Sequence, residues 1–156
     1  MVVRSLVILM VATLFLCGSA VAHDSGFGLG IVLGEPTGLS CKKWYGSTTA
    51  IDGAIAWSSG KHNVLHLHGD YLIHNFNLFK LEKDKLPLYY GIGGRIKITN
   101  GESRIGVRIP LGINYIFEKV PLDIFLEFVP LLDLVPGTNF RLKGAVGIRY
   151  YFSSVP

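Results

Sequence analysis

The sequence predicts an all-β fold, an eight-stranded antiparallel up-and-down barrel, and three observations lead there. Beyond residue 22 the chain falls into short segments in which apolar and polar side chains alternate, the period-two signature of strands with unlike faces. Turn-rich breaks recur between these segments and separate eight of them, a pace that suits short hairpins. One face is uniformly Leu, Ile and Val with Tyr, Trp or Phe near segment ends, while the other mixes both charge signs with Gly and Ala.

The first 22 residues belong to transport rather than to the fold. Arg4 provides a basic start, Leu6 to Cys17 an apolar run, and Ala20-Val21-Ala22 a small-x-small cleavage pattern, which together read as a secretory signal peptide. The apolar run is too short to span a bilayer as a helix. Residues 23–156 are then the mature chain, long enough for one domain. The formal charge of +4 falls by one with the loss of Arg4, and the basic residues are dispersed, which excludes a nucleic-acid footprint. Only Cys41 remains after cleavage, so the fold must hold without an internal disulfide.

The segments follow in order. The first, 26–34, begins Gly26-Phe27-Gly28-Leu29-Gly30; no helical pattern follows, so a phosphate-cradling loop is excluded and a strand remains. Glu35-Pro36-Thr37-Gly38 turns the chain into 39–45, where adjacent Lys42 and Lys43 obscure the phase. Beyond Gly46-Ser47-Thr48, the third segment, 49–57, sets Ile51, Ile55 and Trp57 against Ala50, Asp52, Ala54 and Ala56. The turn from Ser58 to Lys61 leads to 63–74, with Leu65, Leu67, Tyr71 and Ile73 opposite His66, His68, Asp70 and His74. A polar stretch, Asn75 to Lys85, precedes 87–98, where Tyr90, Ile92, Ile96 and Ile98 oppose Tyr89, Arg95 and Lys97. Asn100-Gly101 opens 104–116, where Ile105, Val107, Ile109, Leu111 and Ile113 oppose Arg104, Arg108 and Asn114. Pro110 lies inside that segment and cannot donate to a ladder, so a bulge is expected there. In 122–132, Ile124, Leu126 and Phe128 oppose Asp123 and Glu127; in 140–152, Leu142, Val146, Ile148, Tyr150 and Phe152 oppose Arg141 and Arg149.

Which face looks outward decides the class. A soluble barrel puts its bulky aliphatics inside. A membrane barrel needs an aliphatic band with aromatic girdles facing lipid and a polar lumen, and this composition fits the membrane arrangement, a transmembrane β-barrel. Backbone groups in hydrocarbon must all be paired, and a closed barrel of eight strands does this with an interior just wide enough for side chains to fill. Asp52, Asp70, Asp123 and Glu127 are expected to pair there with Arg95, Arg104, Arg108, Arg141 and Arg149.

Gly147-Ile148-Arg149-Tyr150-Tyr151-Phe152 resembles the C-terminal strand signal read by bacterial barrel-assembly machinery, with Gly147, Tyr150 and Phe152 at its marked positions. The runs Gly34-Glu35-Pro36-Thr37-Gly38, His66-Leu67-His68-Gly69-Asp70-Tyr71, Pro87 to Arg95 and Pro121 to Glu127 resemble a family of small outer-membrane β-barrel proteins of Gram-negative bacteria. The resemblance covers essentially the whole mature chain. It implies an eight-stranded barrel of OmpA and OmpX size and supplies no catalytic residue.

The residues suggest little chemistry of their own. His66, His68 and His74 share one strand face, and a His-x-His pair at strand spacing can share a metal, but a third ligand must come from another strand. As interior residues bonded to neighbouring charges they need no metal, and this is the expectation. A lipid-modifying hydrolase would need a serine beside a base and an orienting acid; no Gly-x-Ser-x-Gly occurs and the serines fall mostly in turns. The sequence therefore predicts a non-enzymatic, cofactor-free and monomeric outer-membrane protein with a structural or interaction role. Its partners would be outer-membrane lipids and lipopolysaccharide, with barrel-assembly machinery during biogenesis. A soluble lipocalin-like carrier is the competing class, distinguished by where the mature chain fractionates.

Overall fold

A computed structural model describes residues 26–34, 37–58 and 63–152; the expected signal peptide and its cleavage point lie outside them. Nine strands follow one another: β1 (Phe27–Gly34), β2 (Gly38–Trp44), β3 (Thr49–Ser58), β4 (Val64–Asn75), β5 (Leu88–Thr99), β6 (Glu102–Arg108), β7 (Leu111–Ile116), β8 (Leu122–Val135) and β9 (Asn139–Tyr151). Each pairs antiparallel with its sequence neighbour except across β6 and β7, which both lie between β5 and β8. β9 returns to β1 in a register from Gly28 opposite Tyr151 to Gly34 opposite Ala145. The ladder is therefore a closed ring, and since β6 and β7 share one lane it is a ring of eight.

Pro110 introduces no bulge, contrary to the sequence expectation. The register against β5 is the same on both sides of it, with Arg108 opposite Gly93 and Leu111 opposite Tyr90. The Gly91 N–H donates to Pro110 O at 3.0 Å, and the Ile109 N–H to Pro130 O at 3.0 Å. Neither proline has an N–H with which to return the bond, so two reciprocal ladder bonds are missing around Ile109 and Pro110. That splits the lane without inserting a residue. The register shift lies instead at Ile105 and Gly106, which face Val135 and Asp133 and leave Leu134 as the extra residue on β8.

The two faces are sorted with the aliphatic side outward and the charged side inward. On β1, β8 and β9, Leu29, Ile31, Leu33, Ile124, Leu126, Phe128, Val146, Ile148 and Tyr150 point outward and are each 40% exposed or more. Asp52, Asp70, Asp123 and Arg149 point inward and are each 5% exposed or less. β2, whose phase was hidden by its two lysines, turns Ser40, Lys42 and Trp44 inward.

The two ends of the ring differ. One, the terminal end, holds Gly26 and Phe152 and the connections 45–48, 76–87 and 117–121. It is closed by a cluster of Trp44, Ala50, Ile116 and Tyr151, against which Phe76 of the long connection packs. Lys85 ties that connection to β7 by a pair of backbone bonds with Ile116, at 3.0 and 2.8 Å. At the far end, Asn100 and Gly101 make a two-residue turn between paired Thr99 and Glu102, with Gly101 at a φ of +83° that favours glycine.

Candidate functional site

The candidate site is the ring's interior. Because side chains alternate, each lane sends every second residue inward, and in-register neighbours on adjacent lanes lie about 5 Å apart. Charged residues on adjacent lanes would be crowded against one another. In four pairs the chain relieves this by placing glycine on the lane between partners, whereas Lys42 and Asp52, Asp52 and Asp70, and Asp123 and Arg149 stand directly opposite on adjacent lanes.

Four pairs show it. Asp70 of β4 and Arg108 of β6 are both in register with Gly93 of β5, and Arg108 Nε donates to Asp70 Oδ1 at 2.9 Å. Arg95 of β5 and Asp133 of β8 flank Gly106, and Arg95 Nη2 donates to both carboxylate oxygens at 2.8 Å. Tyr89 and Glu127 flank Gly112, and the phenol donates to Glu127 Oε2 at 2.8 Å. Arg149 and Ser40 flank Gly30, and Arg149 Nε donates to Ser40 Oγ at 3.0 Å.

The pairs are joined further. Arg108 Nη2 reaches Glu127 Oε1 at 3.1 Å, so Glu127 accepts from both Tyr89 and Arg108. Arg149 reaches Asp52 at 3.1 Å and Asp123 at 3.5 Å, and its guanidinium lies 3.8 Å from the Phe125 ring centroid. Tyr151 donates to Asp123 Oδ2 at 2.6 Å. Lys42 Nζ sits 2.8 Å from His74 Nε2 and 4.4 Å from the Trp44 ring centroid. Among the described residues, buried Lys42, Arg95, Arg108 and Arg149 face buried Asp52, Asp70, Asp123, Glu127 and Asp133. Burial of such charges is tolerated only where each is paired and hydrogen-bonded.

Of the residues singled out in the sequence, Asp52, Asp70, Arg95, Arg108, Asp123, Glu127 and Arg149 are buried in this network. Arg104 and Arg141 are half-buried at the far-end mouth, where Arg141 Nε stands 3.8 Å from Asp133 Oδ2. Gly147 faces inward against the Phe125 ring, whereas Tyr150 and Phe152 project outward, edge to face at 5.2 Å. Lys42 and Asp133 were missed. Lys42 was masked by its neighbour, and Asp133 lay one residue past the expected end of its strand, although the alternation Leu132, Asp133, Leu134 continues through it.

The three histidines do not converge. His74 is held at the terminal end by Lys42 and by Thr48 O, 3.2 Å from its Nδ1, while His66 lies toward the far end. The ligand-type atoms that do cluster belong to Asp52, His68 and Asp70, within 4.8 Å of one another. Both carboxylates already bond arginines, Asp52 to Arg149 and Asp70 to Arg108, so a cation there would face two guanidinium groups. That donor set does not fit a metal. A cavity of about 10 Å³ beside Asp52, His68, Arg108 and Glu127 is of the order that admits one water.

No family model matches the sequence, and a search of curated proteins finds no match. Among solved structures the chain is similar to the N-terminal β-barrel domain of Pseudomonas aeruginosa OprF, at 10% sequence identity and a TM-score of 0.55, covering 81% of this chain and 95% of that one. The likeness is one of fold: an antiparallel ring closed on itself.

Proposed function

We propose that this chain is a transmembrane β-barrel of the outer membrane of a Gram-negative bacterium, exported by its signal peptide. Its role is structural or interaction-based rather than enzymatic. The observation that carries the reading is the sidedness of the ring. An exterior of Leu, Ile, Val, Phe and Tyr around an interior of paired charges suits hydrocarbon outside and a sealed polar lumen within. The OprF likeness supports the fold on which this rests.

The interior favours a plug over a pore. Arginines cross the lumen to partners two lanes away, the cavity beside Asp52, His68 and Glu127 is about 10 Å³, and aromatic side chains close the terminal end. Its outer surface would meet acyl chains and lipopolysaccharide as a monomer, and Gly147, Tyr150 and Phe152 would serve the assembly machinery.

The test is refolding of residues 23–156 into lipid vesicles and into detergent-free buffer. The expected result is folded protein in vesicles, with heat-dependent gel mobility, and aggregation in buffer. A compact soluble monomer in buffer would overturn the reading in favour of a soluble carrier. Steady conductance across a planar bilayer would overturn the plug while leaving the barrel intact.

A further inference from the structure

A cavity of about 430 Å³ lies at the terminal end, between the long connection 76–87 and the turn from β2 to β3. Its volume falls within the roughly 300–1,000 Å³ typical of small-ligand sites. The walls are mostly apolar, formed by Phe76, Phe79, Leu81 and Leu86. Phe76 packs on the aromatic cluster that closes the ring, whereas Phe79 and Leu81 stay 44% and 46% exposed. The connection thus holds an apolar hollow open on a rigid base.

Lys80 and Lys85 line the same hollow and stand directly opposite one another in an antiparallel bridge. Residues so opposed point to one face about 5 Å apart, and like charges there repel. Lys85 is held in place by its two backbone bonds with Ile116. Among the described residues neither ammonium group forms an ion pair. Lys85 Nζ lies 5.9 Å from the Phe76 ring centroid, so its charge borders the apolar wall. The acid in the lining is Asp84, whose oxygens are taken by the Tyr115 hydroxyl and the Glu118 N–H, and the cations that lower its pKa are Lys119 and Lys83. Glu82 is exposed in the turn between the two lysines and is not part of the lining. Ser47 brings a hydroxyl to the opposite wall.

We propose that this hollow binds an amphiphilic carboxylate, a medium-chain fatty-acid anion, with its chain along Phe76, Phe79, Leu81 and Leu86 and its carboxylate between Lys80 and Lys85. The two oxygens accept a charge-assisted hydrogen bond from each ammonium group, which turns the repulsion across the bridge into attraction. The chain removes apolar wall from water, which a small inorganic anion cannot do. The site requires the terminal end of the ring but not its membrane location, so it goes beyond the outer-membrane reading and stands or falls separately from it.

The experiment uses residues 23–156 folded in phosphatidylcholine nanodiscs and titrated calorimetrically with octanoate at neutral pH, empty nanodiscs serving as the blank. The wild type is expected to bind octanoate saturably. Acetate, which lacks the chain, and octanol, which lacks the charge, should each bind at least about tenfold more weakly. Lys80→Gln with Lys85→Gln should weaken octanoate by roughly tenfold or more and leave octanol unchanged. That variant keeps the backbone bonds to Ile116, and Phe79→Ser, at an exposed position, tests the apolar wall independently by weakening octanoate as well. Lys97→Gln with Arg104→Gln removes the same charge at the far end and should bind as the wild type does. Absence of saturable binding by the wild type, equal binding by the Lys80 and Lys85 variant, or acetate or octanol binding as tightly as octanoate overturns the proposal. A protein that proves soluble is titrated in buffer with the same expectations, so failure of the membrane reading leaves this test intact.

Discussion

Tyr89 and Glu127 lie on lanes separated by a third, and the hydrogen bond between them passes over Gly112, where a Cβ would stand 2.5 Å from Tyr89 Cζ. The same spacing recurs. Tyr89–Glu127, Arg95–Asp133 and Asp70–Arg108 are each 38 residues apart and each flank an in-register glycine. The glycines therefore act by absence of volume: they clear a path along which a long side chain reaches its partner. In these three pairs, side-chain pairing and glycine placement are one pattern.

Gly112→Ala is expected to destabilise the barrel by about 1–3 kcal/mol, the usual cost of forcing extra volume into a packed interior. Gly137→Ala is the control, because nothing lies within 4 Å of the Cβ it would add, and it should change stability by less than about 0.5 kcal/mol. Urea unfolding of both variants in the same vesicles checks the contrast. Equal effects would mean that the path over Gly112 does not matter.

Arg149→Leu removes one guanidinium that serves Asp52, Asp123 and Ser40 together. It leaves buried carboxylates without their cation, and the expected loss is about 3–5 kcal/mol. Asp123 keeps the Tyr151 hydroxyl, but among the described residues Asp52 forms no other ion pair. Arg149→Leu combined with Asp52→Asn should recover part of the loss, because neutralising the stranded acid removes its penalty. Unfolding midpoints of the single and double variants read this directly. No recovery in the double variant would show that Arg149 acts through packing on Phe125 instead.

How far the sequence carried this reading depends on how far its alternation ran unbroken. In β9, Leu142, Val146, Ile148 and Tyr150 alternate with Arg141, Lys143 and Arg149, and both the lane and its faces were legible. In β2 the adjacent lysines hid the phase, because one lysine enters the interior while the other remains half-buried outside it. Pro110 alone predicts a bulge, since a proline inside a strand lacks the N–H that its ladder needs. What could not be read was that Pro130 lies opposite Ile109, so that two missing donors fall side by side and the register survives. The charges were legible as a set but not as pairs. Which residues pair, directly as Asp123 and Arg149 do or over a glycine as Asp70 and Arg108 do, is fixed only once the registers are known.

Asp84 ties the long terminal-end connection to the barrel. Its carboxylate accepts from the Tyr115 hydroxyl and, at 2.9 Å, from the Glu118 N–H, and these bonds, Tyr115 first, hold its pKa below the usual carboxylate range. A depressed pKa contributes stability that is present above the ordinary value of about 3.9 and is lost as pH falls through the lowered one. Hydrogen exchange at the Glu118 N–H should therefore accelerate, beyond its intrinsic pH dependence, only as the solution is acidified below about pH 4. Asp84→Ala should show the faster exchange already at neutral pH and lose the acid transition. An unchanged acid transition in that variant would assign it to another carboxylate.

Val146 tests the orientation of the ring most sharply. It is the outward residue nearest the middle of β9, flanked in register by Leu33 and Leu126, and it is 43% exposed. If its surroundings are acyl chains, Val146→Arg places a charge near the bilayer midplane and should cost about 2–4 kcal/mol in vesicles. Phe140→Arg, at the strand's far end, should cost only about 0–1 kcal/mol, since the penalty falls toward the interface. If the exterior faced water, both substitutions would be surface changes within about 0.5 kcal/mol of neutral. The difference between the two positions is therefore the discriminating quantity, measured as the shift in urea midpoint at fixed vesicle composition. A flat response along β9 would place this face in water and invert the proposed sidedness.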